Sequence, residues 1–154
     1  LTVLDNIILP AAQSKKNTET RKETVGRGLD LMRKLDIIEV ADNDINEVSG
    51  GQLQRACICR SMINKPKVLF ADEPTGALNR TASNEVMKEL VKLNEEGTTI
   101  MMVTHDAKVA AKCSRVLYIV DGNIKGEYNS PKEKDVQEKD RERMLNNWLM
   151  ELGW

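Results

Sequence analysis

The chain has 154 residues, 40% of them hydrophobic and 31% charged, which suits one ordinary domain and is too polar for a membrane-embedded protein. Lys plus Arg number 23 and Asp plus Glu 24, a formal charge of −1 that excludes a chain built mainly to coat nucleic acid. No apolar stretch reaches the ~18 residues of a spanning helix, and the opening residues lack the basic, apolar, small-residue order of a secretory leader. Cysteines number 3, with Cys57 and Cys59 one residue apart, which suits packing residues in a reducing compartment better than a disulfide framework. Aromatic residues make up 3% of the chain, so the core is expected to be aliphatic. Composition therefore predicts a soluble intracellular domain.

Leu1, Leu4 and Ile8 open a helical pattern, with Thr2 and Asp5 spaced as a capping box. The chain has no initiator Met and no polar lead-in, so it reads as the interior of a longer protein. Residues 13–24 are polar, a loop or the exposed start of the next helix. Leu29, Met32, Leu35 and Ile38 then predict an amphipathic helix ending near Asp36–Val40. A polar connection over 41–47 leads to Ser49-Gly50-Gly51. From Gln52 to Asn64, the stripe Leu53, Ala56, Cys57, Arg60, Ile63 predicts a helix that Pro66 stops.

Val68–Ala71 is an apolar run of the fully buried strand type, ending in Asp72-Glu73-Pro74. A helix over 82–94 is closed by Gly97, and Thr99–Val103 is a second buried strand running into Thr104-His105-Asp106. A short helix over 107–113 and a strand over Val116–Val120 follow, and Asp121-Gly122 signals a hairpin into Ile124–Tyr128. Strands alternating with helices predict an α/β parallel sheet, whose strand C-termini commonly carry the chemistry. Ser130-Pro131-Lys132-Glu133 reads as a helix start. Residues 132–143 carry ten charges in twelve positions. Met144, Leu145, Trp148 and Leu149 then form a stripe that docks on the chain's own domain or on a partner.

Three polar clusters are candidate sites. Asp72-Glu73 at a strand end offers one carboxylate for a hard cation such as Mg²⁺, which keeps several waters, and a second to take a proton from an attacking water. An acidic turn ending a strand has the same appearance. Ser49-Gly50-Gly51-Gln52 at a helix start can present backbone N–H groups and a hydroxyl to an anion, or be a plain N-cap with a glycine turn. His105, the only histidine, can donate to a phosphate or hold a water from a strand end, or be a surface residue.

Order and spacing say more than any cluster alone. Ser-Gly-Gly-Gln before a helix, a strand ending Asp-Glu-Pro-Thr-Gly, and Val-Thr-His-Asp together resemble the ATP-binding-cassette (ABC) ATPases, from Leu1 to about Glu127. The wording of Leu1–Asn6 and Ala71–Asn79 is most similar to the branch containing macrolide, lipoprotein and bacitracin-type peptide-antibiotic exporters. Asn146–Met150 is similar to the antimicrobial-peptide members.

The resemblance implies an α/β fold holding a partial P-loop NTPase (RecA-like) parallel sheet and part of the ABC helical subdomain. It divides the chain into a helical-subdomain portion (1–66), the C-terminal half of the ATPase core (67–128) and a charged helix with tail (129–154). Val48–Gln52 would be the signature motif and Val68–Glu73 the Walker B strand. Asp72 would hold Mg²⁺ through water, Glu73 would be the general base, and His105 would contact the γ-phosphate of ATP. Ser49, Gly50, Gly51 and Gln52 would reach the nucleotide held by a second ATPase subunit, and Asn79 falls in the D-loop. A transmembrane permease is the implied partner, which would place the protein at the inner face of the cell membrane.

Two features depart from the family pattern. None of the nine glycines is followed by Lys, so no Gly-x-x-x-x-Gly-Lys-[Ser/Thr] phosphate loop is present. Asn79 stands where many relatives carry Asp. The chain therefore looks like the C-terminal part of a nucleotide-binding domain, inactive alone, with uncovered sheet edges expected to drive self-association, including by exchange of segments between chains. A non-catalytic module offering its signature face to a complete ATPase is the alternative. A chromosome-maintenance ATPase would need long heptad segments, which the sequence lacks.

Overall fold

The computed structural model describes residues 1–14, 18–131 and 135–154, and divides them into two compact units, Leu1–Met102 and Val103–Trp154. In the described residues no helix is long and apolar enough to cross a membrane.

The first unit begins with α1 (Val3–Gln13), whose N-cap Thr2 and Asp5 form the expected capping box. Its buried face is Val3, Ile7, Ile8 and Ala11, while Leu1 is 75% exposed. The stripe is thus turned from the Leu1, Leu4, Ile8 line read in the sequence, because capping at Thr2 makes Val3 the first residue to face inward. Helix α2 (Arg21–Lys34) is capped by Thr20 with Glu23 and buries Thr24, Gly28 and Met32. At Gly28 a Cβ would lie 2.8 Å from Ile8 Cγ2 and 3.0 Å from Leu4 Cδ1, so glycine is what lets α1 and α2 approach. The helix stops at Lys34, earlier than the pattern suggests. Asp36 takes φ 52°, and Ile38–Val40 form a single 3₁₀ turn.

A second 3₁₀ turn, Ile45–Glu47, is capped reciprocally by Asp44 and Glu47. Helix α3 (Gly50–Met62) follows from N-cap Ser49. It buries Ala56, Ile58, Cys59 and Met62, with Ile63 just beyond. Cys57 and Arg60, which the sequence pattern put on the inner stripe, are exposed. The inner face is broader than one stripe because α1, α2 and α4 all contact α3. Burial pushes the Cys59 thiol up to about 12, so it is an inert packing group.

Strand β1 (Val68–Asp72) leads through a turn to α4 (Arg80–Glu95), and β2 (Thr99–Val103) returns to pair with β1. This helical crossover lays the two strands parallel. Gly97 supplies the turn after α4 with φ 103°. The strands were expected to be buried on both faces, and they are not. Leu69 is buried, but Val68 is 42%, Phe70 74%, Met101 53% and Val103 58% exposed. Among the described residues, nothing covers that second face, although its side chains are those of a core.

In the second unit, α5 (Ala107–Ala110) precedes a hairpin of β3 (Arg115–Val120) and β4 (Asn123–Asn129). Asp121 and Gly122 take φ 50° and 74°, the paired positive values of a two-residue hairpin turn. The register shifts between Tyr118 and Ile119 as Gly126 and Ile124 pair with them, which leaves Lys125 as the extra residue of a bulge. Helix α6 (Glu138–Glu151) buries Leu145 and Leu149 with Ala111, and Val116, Tyr118, Tyr128 and Trp148 pack around them. Trp148 lies against Tyr128 with ring centroids 5.4 Å apart.

The tail stripe therefore docks within the chain's own unit, although Met144 is 43% exposed. The expected helix start at Lys132 and Glu133 lies outside the described residues. Asp135 and Val136 are turn and bend and Gln137 is the extended N-cap, so the helix begins at Glu138. Arg141, read as part of a solvated face, is buried and donates to the Cys113 carbonyl at 3.2 Å.

Candidate functional site

Two helix starts define the candidate site. Ser49 Oγ accepts the Gln52 N–H at 3.3 Å and Gln52 Oε1 accepts the Ser49 N–H at 2.9 Å, a full capping box. The capping reading of this segment is thus realised, and it leaves the Ser49 hydroxyl proton available to donate. Gln52 Nε2 donates to Glu39 Oε1 at 3.1 Å, so this side chain helps to hold the loop. Asn79 Oδ1 accepts the Ala82 N–H at 2.9 Å and starts α4 two residues before the helix expected over 82–94. Asn performs this cap as Asp would, without the charge.

The two starts meet. At Gly51 a Cβ would lie 3.3 Å from Ala82 Cβ, and at Gly50 it would lie 3.7 Å from Leu78 Cδ2. A cavity of about 360 Å³ lies between them, lined by Ser49, Gly50, Gly51, Asn79, Ala82 and Arg55 among others. Two helix N-termini opening on one cavity concentrate free backbone N–H groups and partial positive charge, the physical requirement for holding phosphate.

Arg55 was not singled out in the sequence. Its guanidinium donates to the Leu35 and Asp36 carbonyls, each at 3.2 Å, and pairs with Glu85 at 3.0 Å. The only sequence signal was a charge six residues after Ser49 on a helix with a broad apolar face.

The carboxylates sit at the end of β1. Asp72 is exposed, and Glu73 is half-buried with φ 45°, a left-handed conformation that costs a non-glycine residue energy. Gly76 N–H closes the turn on the Glu73 carbonyl at 3.1 Å, and a Cβ on Gly76 would come within 3.8 Å of Glu73 Oε2. The following turn is held by the Leu78 N–H on the Thr75 carbonyl at 3.0 Å, and buried Thr75 anchors it. A short, hydrogen-bonded path thus runs from Glu73 to Asn79.

Among the described residues, no group of three or more His, Cys, Asp or Glu side chains is placed to hold a metal. One exposed carboxylate at Asp72 fits a magnesium ion that keeps its waters and takes its other ligands from phosphate.

His105 belongs to the second unit and lies exposed on the short link between β2 and α5. Next to it, the Asp106 N–H donates to Thr104 Oγ1 at 3.1 Å, and Asp106 Oδ1 caps α5 by accepting the Lys108 N–H at 2.8 Å. Of the expected site residues, the structure brings Ser49, Gly50, Gly51 and Asn79 to one cavity. Gln52 is the next residue of α3 and is not part of the cavity lining; Asp72 ends β1, and Glu73 opens the turn that leads to Asn79.

The ABC transporter family profile matches residues 1–76. The macrolide export ATP-binding/permease protein MacB of Campylobacter jejuni is 41% identical over 139 residues, 90% of this chain and 21% of the relative. The bacitracin export ATP-binding protein BceA of Halalkalibacterium halodurans is 44% identical over 125 residues, 80% of this chain and 48% of the relative. The chain therefore spans between about a fifth and a half of these curated relatives.

Among solved structures, the dimeric post-hydrolysis state of the ATP-binding cassette MJ0796 bound to ADP and Pi aligns with a TM-score of 0.73 at 35% identity. That alignment covers 84% of this chain and 56% of the other. The ADP conformation of the cassette MJ1267 shares the fold, with a TM-score of 0.79 at 20% identity over 99% of this chain and 62% of the other. The residue order, the mixed parallel fold and these similarities agree: the chain belongs to the ABC transporter ATPase family and carries part of its P-loop NTPase fold.

Proposed function

We propose that this chain supplies the signature loop, strand-end carboxylates and switch histidine of an exporter ATPase that couples ATP hydrolysis to transport through a separate permease. Its relatives' names, macrolide export and bacitracin export, support a drug, lipoprotein or antimicrobial peptide as cargo. The observation that carries this reading is the convergence of the Ser49 and Asn79 helix starts on one cavity.

In this reading Ser49, Gly50 and Gly51 donate to the γ-phosphate of a nucleotide held by a second ATPase subunit, as the dimeric state of the MJ0796 cassette suggests. Glu73 accepts the proton of the water that attacks the γ-phosphoryl group, and its left-handed backbone fixes where the carboxylate points. Asp72 holds a hydrated magnesium ion, which when bound neutralises developing phosphate charge. His105 donates to the γ-phosphate, and Asn79 faces the partner subunit beside the signature loop. The permease holds the assembly at the inner face of the membrane.

The phosphate loop is missing from the sequence, so the 154-residue chain alone is expected to bind Mg-ATP weakly and not to turn it over. Titrating Mg-ATP into ¹⁵N-labelled chain tests this. The reading expects millimolar binding with amide shifts that include Gly50, Gly51, Gln52 and Asn79–Ala82. Absence of those shifts, or tight binding elsewhere, overturns it.

A further inference from the structure

The cavity between the two helix starts is closed at its base by a charge pair. Arg55 lies six residues into α3 from Ser49, and Glu85 six residues into α4 from Asn79. That is about 9 Å along each helix. The two helices are therefore tied at matching depth, with the Gly51–Ala82 approach between the tie and the caps.

Arg55 is poorly replaceable here. Its side chain is 14% exposed, its Nη1 serves two carbonyls just past the end of α2, and its Nε is buried without a hydrogen-bond partner among the described residues. Only a planar fork reaches the Leu35 and Asp36 carbonyls and a carboxylate on α4 from one position. Glu85 differs, because its side chain is 49% exposed. A pair so open to water adds little to stability. What the pair does provide is a direct link between α3 and α4.

We infer that Arg55 and Glu85 are positioning residues that set the spacing between the Ser49 and Asn79 helix starts, so that both N-termini reach one set of nucleotide phosphates. This rests on the reading of the cavity as a phosphate-facing corner. Both side chains line the base of the cavity, and the role inferred for them is exerted through the helices they anchor.

The test uses the ¹⁵N-labelled 154-residue chain, with Mg-ATP as the probe. Wild type, Glu85→Ala and Glu85→Gln are compared by the amide shifts of Gly50, Gly51, Thr81 and Ala82, by the cross-relaxation signal between Gly51 Hα and the Ala82 methyl, and by melting curves. Arg55→Ala is a poorer variant because it also strips the Leu35 and Asp36 carbonyls of their donor.

Glu85→Ala is expected to melt as wild type does, to weaken the Gly51–Ala82 signal and to bind Mg-ATP a few-fold more weakly, the scale of a half-exposed ion pair. Glu85→Gln keeps an oxygen that can accept from Arg55 and should recover most of the affinity. Wild-type affinity in Glu85→Ala overturns the inference while leaving the phosphate-facing corner intact. Equal loss in both variants together with a lowered melting curve also overturns it, since the pair would then only hold the fold. If wild type itself gives no shifts at these amides, the reading of the corner fails and this inference fails with it.

Discussion

The two strand pairs meet water differently. In β3–β4, the face carrying Val116, Tyr118 and Tyr128 is covered by α6, whose Leu145 is fully buried. The opposite face is mixed, with Leu117 and Ile119 beside an Arg115–Glu127 pair of 2.8 and 3.0 Å bonds. In β1–β2, alternate residues are covered, while Val68, Phe70, Met101 and Val103 stand exposed, with charge on that face only at Asp72, where β1 ends. A hairpin beside its own helix is a finished piece of structure. A parallel pair with a second apolar face is material for a larger sheet.

This contrast can be broken most forcefully from the finished side. Leu145→Ala removes a fully buried side chain that joins α6 to the hairpin. A loss of about 2–5 kcal/mol is expected, read as a lower urea midpoint in the tryptophan signal. Gly126→Ala is the next largest change. A Cβ there would lie 2.6 Å from Leu152 Cδ1 and 2.7 Å from Trp148 Cζ2. About 1–3 kcal/mol is expected from this overpacking, with the indole displaced and its emission shifted to the red.

Changes on the unfinished side should act on association and leave stability nearly alone. Phe70→Lys alters a residue that is 74% exposed, so stability should move by no more than about 0.5 kcal/mol. Sedimentation velocity should show self-association of the wild-type chain reduced in this variant. A wild-type chain that stays monomeric at tens of micromolar, roughly where exposed strand edges begin to aggregate, would remove the contrast.

The smallest effect is acid sensitivity of the helix starts. Hydrogen bonds to the charged form hold Asp5, Glu23 and Asp44 below the ordinary carboxylate range: for Asp5 from the Thr2 side chain, for Glu23 from the Thr20 backbone, for Asp44 from the Asn46 backbone. Depressed folded values mean that the unfolded chain binds more protons, so this stabilisation is complete above the ordinary range and lost as pH falls through the folded values. The melting temperature should start to decline below about pH 4. Removing Glu23 and Asp44 should flatten that decline.

Much of this was legible from local residues. The Thr2–Asp5 box, the Ser49 start and the Asp121-Gly122 turn each depend on neighbours within three positions, and each is found where expected. Strand β2 matches the expected span from Thr99 to Val103. Features needing a distant partner were not legible. Arg141 is buried because the Cys113 carbonyl waits for it, and nothing within its charged run reveals that. Cys57 and Arg60 looked inward because a single-stripe reading cannot know that three helices contact α3. At the candidate site, Ser49 and Asn79 could be named from the sequence, but their convergence could not, because it depends on α3 and α4 packing with Gly51 against Ala82.

The reciprocal caps have a consequence for how the chain acquires its structure. Thr2 with Asp5, Thr20 with Glu23, Asp44 with Glu47 and Ser49 with Gln52 each close a loop of only three residues. Loop closure this short is entropically cheap and fast, whereas joining β1 to β2 must bridge the whole of α4. The helical layer of the first unit is therefore expected to fold early, by low-contact-order steps, with the strands pairing onto it later. During synthesis from the N-terminus, helix starts that already know their place would be waiting when the two slower, more adhesive strands emerge.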